Sequence, residues 1–384
     1  MQNKRRLIVL ALLIIVILLC GCWDNQDINN KSIVISIGVD SIGEDYILQY
    51  EIINTMPVKT KQADKGADEP DTYILEGRGK TFSEAHDEII RSESAELFFG
   101  GCKLLIVGGN YAINNNILEF LSRVDGLPGY QRNMAIIYTE DLNAFFDATL
   151  NNDISKGLFV DNMLLASRVE RTQYFPYVFD ILSESDRGHQ SFLLPVYTIR
   201  EGGVFYDSIA VFKDGTYVGK LSKDEIQGSI YMLHNRTIFT TEISFIDDDG
   251  KQKQIGGNIK VKNKGVKTDF IDGRMSFTIK LKAELILDYT SENHVMTEKE
   301  TDQVFEQAIE EKIEAELWAT INATRNIYQC DFLGLEDYFS AYSYKDYQQI
   351  DYDALFVTAD FYIEVEAETI LNKAKEMNQS RGSL

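Results

Sequence analysis

Along this chain one hydrophobic run is unbroken and the others are periodic. Leu7 to Leu19 is apolar without interruption, preceded by Lys4, Arg5 and Arg6 and closed by Cys20-Gly21-Cys22. A membrane-spanning helix needs about 20 apolar residues. This run is shorter, and Trp23, Asp24, Asn25, Gln26 and Asp27 follow it at once. A basic start, a short apolar stretch and a small residue before a cysteine are the layout of a cleavable export leader. Residues 1–21 are therefore expected to be removed. Cys22 is expected to carry an S-diacylglycerol and an N-acyl chain. Cys20 is a poorer acceptor, because Leu18 would then stand where the small Gly21 fits.

Beyond residue 30 the pattern changes. Ser32 to Val39 reads as a strand, and Tyr46 to Ile53 as its hairpin partner across turn residues 41–45. The polar stretch 57–71 reads as a loop, and Tyr73 to Glu76 as a short strand. Thr81 followed by Glu84 makes a capping box ahead of an apolar helix face at Phe82, Ala85, Ile89 and Ile90. Leu104–Val107 and Met134–Tyr138 read as buried strands. Ile113, Ile117, Leu118 and Leu121 have helical spacing, as do Leu142, Phe145, Phe146 and Leu150. Strands alternating with helices predict an α/β-like arrangement over 31–200.

The second half reads differently. Asp214-Gly215 and Asp272-Gly273 each stand between strand-like runs, a hairpin signal. Ser222 and Glu225 form a second capping box. Residues 247–250, three Asp and a Gly, read as a turn between strands rather than a calcium loop, which needs alternating ligands. Val304, Phe305, Ala308, Ile309, Ile313, Leu317 and Ile321 make a helical stripe. Leu355 to Ala367 alternates, with Phe361, Ile363 and Val365 on one face and Tyr362, Glu364 and Glu366 on the other. That predicts a half-buried strand of an antiparallel sheet with a helix across it.

The class that follows is α+β and multidomain, with mixed or antiparallel sheets flanked by helices and three domains. The divisions are an acylated linker at 22–30, an α/β-like domain at 31–200, a small middle domain at 201–235, a sheet-plus-helix domain at 236–372 and a flexible tail at 373–384.

Composition narrows the function. The formal net charge is −22, which excludes the basic patch that nucleic-acid binding requires. Acidity concentrates in 331–369, where Lys345 is the one basic residue. His86, His189, His234 and His294 are dispersed, with no ligand at metal spacing. No nucleophile elbow or phosphate-loop glycine pattern is present. No catalytic residue, metal or cofactor is expected. In the mature chain Cys102 and Cys330 remain, expected as buried free thiols, with one disulfide as the alternative.

Specific motifs then carry a resemblance. Gly21-Cys22-Trp23-Asp24 followed by Ile37-Gly38-Val39-Asp40 closely resembles the start of the Ger(x)C spore germination lipoproteins. So do Gly77 to Ala85, Phe98 to Lys103, Ala210 to Gly215 with Val218 to Leu221, Ile309 to Leu317, and Asp331 to Leu335. Cys102 replaces the family's usual His, and the stretch Tyr338 to Tyr352 lacks its Trp residues. The resemblance implies a non-enzymatic C subunit of a nutrient germinant receptor. Its partners would be a permease-like subunit, a second membrane subunit and membrane lipid, on the outer face of the spore inner membrane. The Tyr-rich acidic stretch offers Tyr342, Tyr344 and Tyr347 as a contact surface for those subunits, the alternative being that these tyrosines cover the helix below. The competing reading is a solute-binding lipoprotein of a transporter, with two like α/β lobes.

Overall fold

The computed structural model describes residues 31–53, 72–148, 150, 155–170, 173–201, 203–234, 237–246, 250, 252–290 and 298–371. Cys22, the leader, the turn at 247–249 and the tail beyond 371 lie outside the described residues.

In chain order, the first part holds β1 (Lys31–Ile42), β2 (Asp45–Ile53), β3 (Thr72–Gly79), α1 (Phe82–Ser92), β4 (Glu96–Phe98), β5 (Leu104–Gly108), α2 (Gly109–Asn114), α3 (Ile117–Asp125), β6 (Ala135–Thr139), α4 (Leu142–Asp147), α5 (Lys156–Glu170), α6 (Val178–Asp186), β7 (Phe192–Arg200), β8 (Gly203–Lys213) and β9 (Thr216–Lys220). The second part holds α7 (Lys223–Leu233), β10 (Thr237–Ile246), β11 (Gln252–Ile271), β12 (Arg274–Thr290), α8 (Glu298–Asn322), α9 (Leu335–Tyr342), α10 (Tyr344–Tyr347), α11 (Tyr352–Phe356) and β13 (Asp360–Leu371).

The first nine strands form one sheet in the order β3-β2-β1-β5-β6-β7-β8-β9, with β4 paired to β1. Its centre is parallel: β1 with β5, β5 with β6, β6 with β7. Its outer hairpins are antiparallel. β7 ends at Arg200 and β8 begins at Gly203, paired with each other in this sheet. Of residues 201–235, read from the sequence as a separate small domain, the strands β8 and β9 complete the first sheet.

Both faces of this sheet are covered. Leu105, Val107 and Ile136 belong to one apolar core, while Leu104, Ile106 and Ile137 belong to another on the opposite face. All five residues of β5 and all five of β6 are buried. Parallel strands lined by helices on both sides are uniformly apolar for this reason.

The second sheet is β10-β11-β12-β13. Here α8 lies across one face, and Phe305, Ile309, Ile313, Leu317 and Ile321 pack onto Val261, Phe277, Ile279, Leu281 and Leu285. The two hairpin turns carry the backbone their sequences call for. Asp214 and Gly215 have φ 51° and 74°, and Asp272 and Gly273 have φ 52° and 76°, the positive pair of a tight hairpin.

Three expectations change. The alternating run does not enter the sheet at Leu355. Tyr352–Phe356 is helical, capped by Asp351, whose carboxylate accepts from Ala354 N at 3.2 Å, and the strand begins at Asp360. That strand is parallel to β12, not antiparallel, because the short helices α9 to α11 return the chain to the starting end of β12. The helical spacing from Ile113 to Leu121 covers two helices. Asn116 breaks them and caps the second through Leu118 N. Four helices escaped the sequence reading, α5, α6, α9 and α10. The polar Ser183–Asp186 segment belongs to α6, whose buried contacts come from Val178 and Ile181.

Candidate contact surface

Several residues of the described motifs fall at junctions between elements. Asp40, at the end of β1, accepts from Ser41 N at 2.8 Å and from Tyr111 N at 2.9 Å, so its carboxylate closes the start of α2. Burial pushes its pKa up against those hydrogen bonds. Thr81 accepts from Glu84 N at 3.2 Å and Glu84 from Lys80 N at 2.8 Å, the hydrogen bonds of the first helix cap. Gly77 has no side chain because a β-carbon there would strike the carbonyl oxygen of Ala85, where α1 lies on β3. At the second capping box Ser222 N donates to Glu225 at 2.6 Å. Asp331 accepts from Leu333 N at 3.1 Å, Glu336 N at 2.8 Å and Tyr352 hydroxyl at 3.0 Å, which folds the Asp331–Leu335 turn onto α11. Each of these residues thus has a packing or capping role.

The two described cysteines are free and buried, in separate cores. Burial pushes both thiols up to about 12, so neither is a ready nucleophile. His86 is half-buried and shares a 2.8 Å hydrogen bond with Tyr50 hydroxyl, and burial lowers its pKa.

The three tyrosines expected at a contact surface differ. Tyr342 is 69% exposed and Tyr344 61%. Tyr347 is half-buried and donates its hydroxyl to Glu336 at 2.7 Å. That bond, with burial, holds the Tyr347 phenol up at about 12. Tyr342 and Tyr344 therefore present free ring surface, while Tyr347 anchors the segment that carries them. Beneath, Phe339 packs on Phe270 and Phe277. Asp337, Lys345 and Asp346, near these tyrosines in the chain, are exposed as well.

Beside it lies a cluster that sequence reasoning missed. His189, just after α6, meets Glu336 at 2.5 Å and Asp337 at 3.3 Å, both on α9. The hydrogen bond to Glu336 outweighs burial and raises His189 to about 9, so it is cationic at neutral pH. Burial would raise Glu336, but His189 and Tyr347 pull it below the usual carboxylate range. Arg187 pairs with Glu184 at 3.0 Å and approaches Asp337 at 3.9 Å. Glu184, His189 and Asp337 come close enough together to hold a metal ion. With two cations, Arg187 and His189, already in the cluster, the arrangement is better described as an ionic clasp between the first sheet's side and α9. No local spacing could have revealed it, because its two halves, residues 184–189 and 336–337, are far apart in the chain. A second hidden carboxylate is Glu51, buried in β2. It accepts from Lys156 N at 2.7 Å, Gly157 N at 2.9 Å and Ser36 hydroxyl at 2.8 Å, fixing the start of α5 against the sheet.

Fold and motifs together define a class: an α+β protein of two unlike sheets, its recurrent motifs spent on joining elements. Residues 24–199 match the spore germination protein N-terminal domain, and residues 207–371 match the C-terminal domain of the spore germination B3/GerAC-like family. The chain belongs to this family of spore germination proteins. Among curated relatives, spore germination protein KC of Bacillus subtilis (strain 168) is 24% identical over 36% of this chain and 42% of its own length. The putative spore germination protein YfkR of the same organism is 24% identical over 76% of this chain and 77% of its own. Spore germination protein B3, also from that organism, is 22% identical over 70% and 71%. The crystal structure of the GerBC protein shares the fold, with a TM-score of 0.53 at 17% identity, covering 87% of this chain and 96% of that one.

Proposed function

We propose that this chain is the lipid-anchored subunit of a spore nutrient germinant receptor, acting by contact with membrane subunits rather than by catalysis. The observation that carries the contact reading is the pair Tyr342 and Tyr344, exposed on a segment that Phe339, Tyr347 and Tyr352 hold down. Among the described residues no helix is long and apolar enough to cross a membrane. In this reading attachment is through the acyl chains on Cys22. Two or more chains are needed, since each buried CH₂ contributes roughly 0.8 kcal/mol and one chain holds only marginally. The transporter reading has less support, because the two sheets are not alike: one is parallel at its centre and covered on both faces, the other largely antiparallel and covered on one.

Two substitutions test this. Cys22→Ala should release the protein from the membrane fraction of spores; an uncleaved precursor that stays there and supports germination would defeat the anchor. Tyr342→Ser with Tyr344→Ser should reduce co-purification with the permease-like and second membrane subunits while leaving melting unchanged. Undiminished complex and a normal germination response would remove this surface from consideration.

A further inference from the structure

Toward its C-terminal end the outer edge of β13 is met by side chains. Ala367 N donates to Glu310 at 3.0 Å and Thr369 N to Glu306 at 3.1 Å, both acceptors standing on α8. Two amides bound this way face away from β12, since backbone groups alternate sides along a strand. At the other end of the strand Arg325 donates to the carbonyl of Ala359 at 2.9 Å, a position of the same parity. The spacing is a geometric match. Four helical residues advance about 6 Å, and two strand residues about 6.6 Å. Glutamates at i and i+4 therefore register with alternate amides of a strand running the other way. Glu314 and Trp318 continue the same step along α8. The first sheet uses a similar device at its edges: Arg78 N on β3 donates to Glu88 of α1 at 2.6 Å, and the carbonyl of Lys220 on β9 accepts from Tyr328 hydroxyl at 2.7 Å.

An edge with bare amides is a template for a further strand. We propose that the Glu306–Glu310 stripe of α8 holds closed a strand-pairing surface on β13, and that the occupant it excludes is a second copy of this chain, pairing β13 to β13. The strand complements itself well enough to need a guard. It runs twelve residues. Phe361, Val365 and Ala367 would extend a common apolar face. The other face carries Asp360, Glu364, Glu366 and Glu368, of which Glu364 and Glu366 pair with Lys280 and Lys282 across the ladder. This inference is independent of the lipid anchor and of the tyrosine surface.

The test compares full-length protein in detergent, with wild type, Glu306→Ala/Glu310→Ala and Glu306→Gln/Glu310→Gln weighed by light scattering over a concentration series. The alanine pair should shift to roughly twice the wild-type protein mass as concentration rises. The glutamine pair should keep the wild-type mass, because its amide oxygens still accept from the two strand amides. Adding Val365→Pro to the alanine pair should restore the wild-type mass, since proline offers no amide at the edge. An alanine pair that keeps the wild-type mass at every concentration overturns the proposal. So does a glutamine pair that dimerises, or a dimer that survives Val365→Pro. If the alanine pair does not fold, wild type decides by hydrogen exchange: the amides of Ala367 and Thr369 should be as protected as their ladder neighbours, and rapid exchange at both overturns it.

Discussion

The two sheets bury their residues in different ways, and each leaves a different trace in the sequence. In the first, neighbouring residues Ile136 and Ile137 are both fully buried, in cores on opposite faces. In the second, neighbouring Phe361 and Tyr362 are 6% and 56% exposed. Helices on both sides make a strand uniformly apolar, whereas a single helix on one side makes it alternate. The alternating sheet keeps a solvent face, lined by lysine–glutamate pairs.

The sharpest way to break this comparison is to put a charge at each of those four positions. Ile136→Asp and Ile137→Asp should both be severe, each at least ~4 kcal/mol, because both faces are core. Phe361→Asp should cost several kcal/mol, about 3 to 5, since its ring stacks on Phe277 at 5.1 Å. Tyr362→Asp should stay within about 1 kcal/mol. Denaturant unfolding of the purified protein gives all four. A mild Ile137→Asp, or equal loss from Phe361→Asp and Tyr362→Asp, would mean the faces are assigned wrongly.

The clasp between the two regions gives a pH signature. His189 has its pKa raised from 6.5 to about 9 by Glu336. Its contribution is therefore fully present below pH 6.5 and is lost as pH rises through 9. The size is at most roughly 3 kcal/mol. Melting curves of wild type should fall across that window more than those of His189→Gln. Identical slopes would show that the clasp carries no stability. The smallest effect belongs to the tyrosines: Tyr342→Ser and Tyr344→Ser should each shift stability by no more than about 0.5 kcal/mol, and a large loss would mean the rings are packed rather than presented.

The legible parts of the fold were those decided within a few residues. Both Asp-Gly turns, the Ser222–Glu225 capping box, the Thr81 cap and the faces of β13 follow from local chemistry, and the structure places them as read; Glu84 alone differs, accepting from Lys80 N rather than from Thr81 N. α5 was illegible because its apolar residues are not confined to one side. Its start is fixed by Glu51, which is distant in the chain. The break at Asn116 was missed because helical spacing carries on across it. The tyrosine surface was read only in part: composition marks the segment, but nothing local distinguishes exposed Tyr342 and Tyr344 from the half-buried Tyr347.

By itself the sequence determined where hairpins turn, where helices begin, which side of an alternating strand is apolar, and which family the motifs resemble. Turns and caps depend on backbone angles and on donors only a few residues away, so their chemistry is written where it acts. Tertiary structure alone decided that β13 runs parallel to β12, that β7 and β8 belong to one sheet, and that Glu51, His189 and Glu310 find the partners they do. A strand's direction and a carboxylate's donor are set by which elements pack together, and the residues that meet there have no local spacing to announce them.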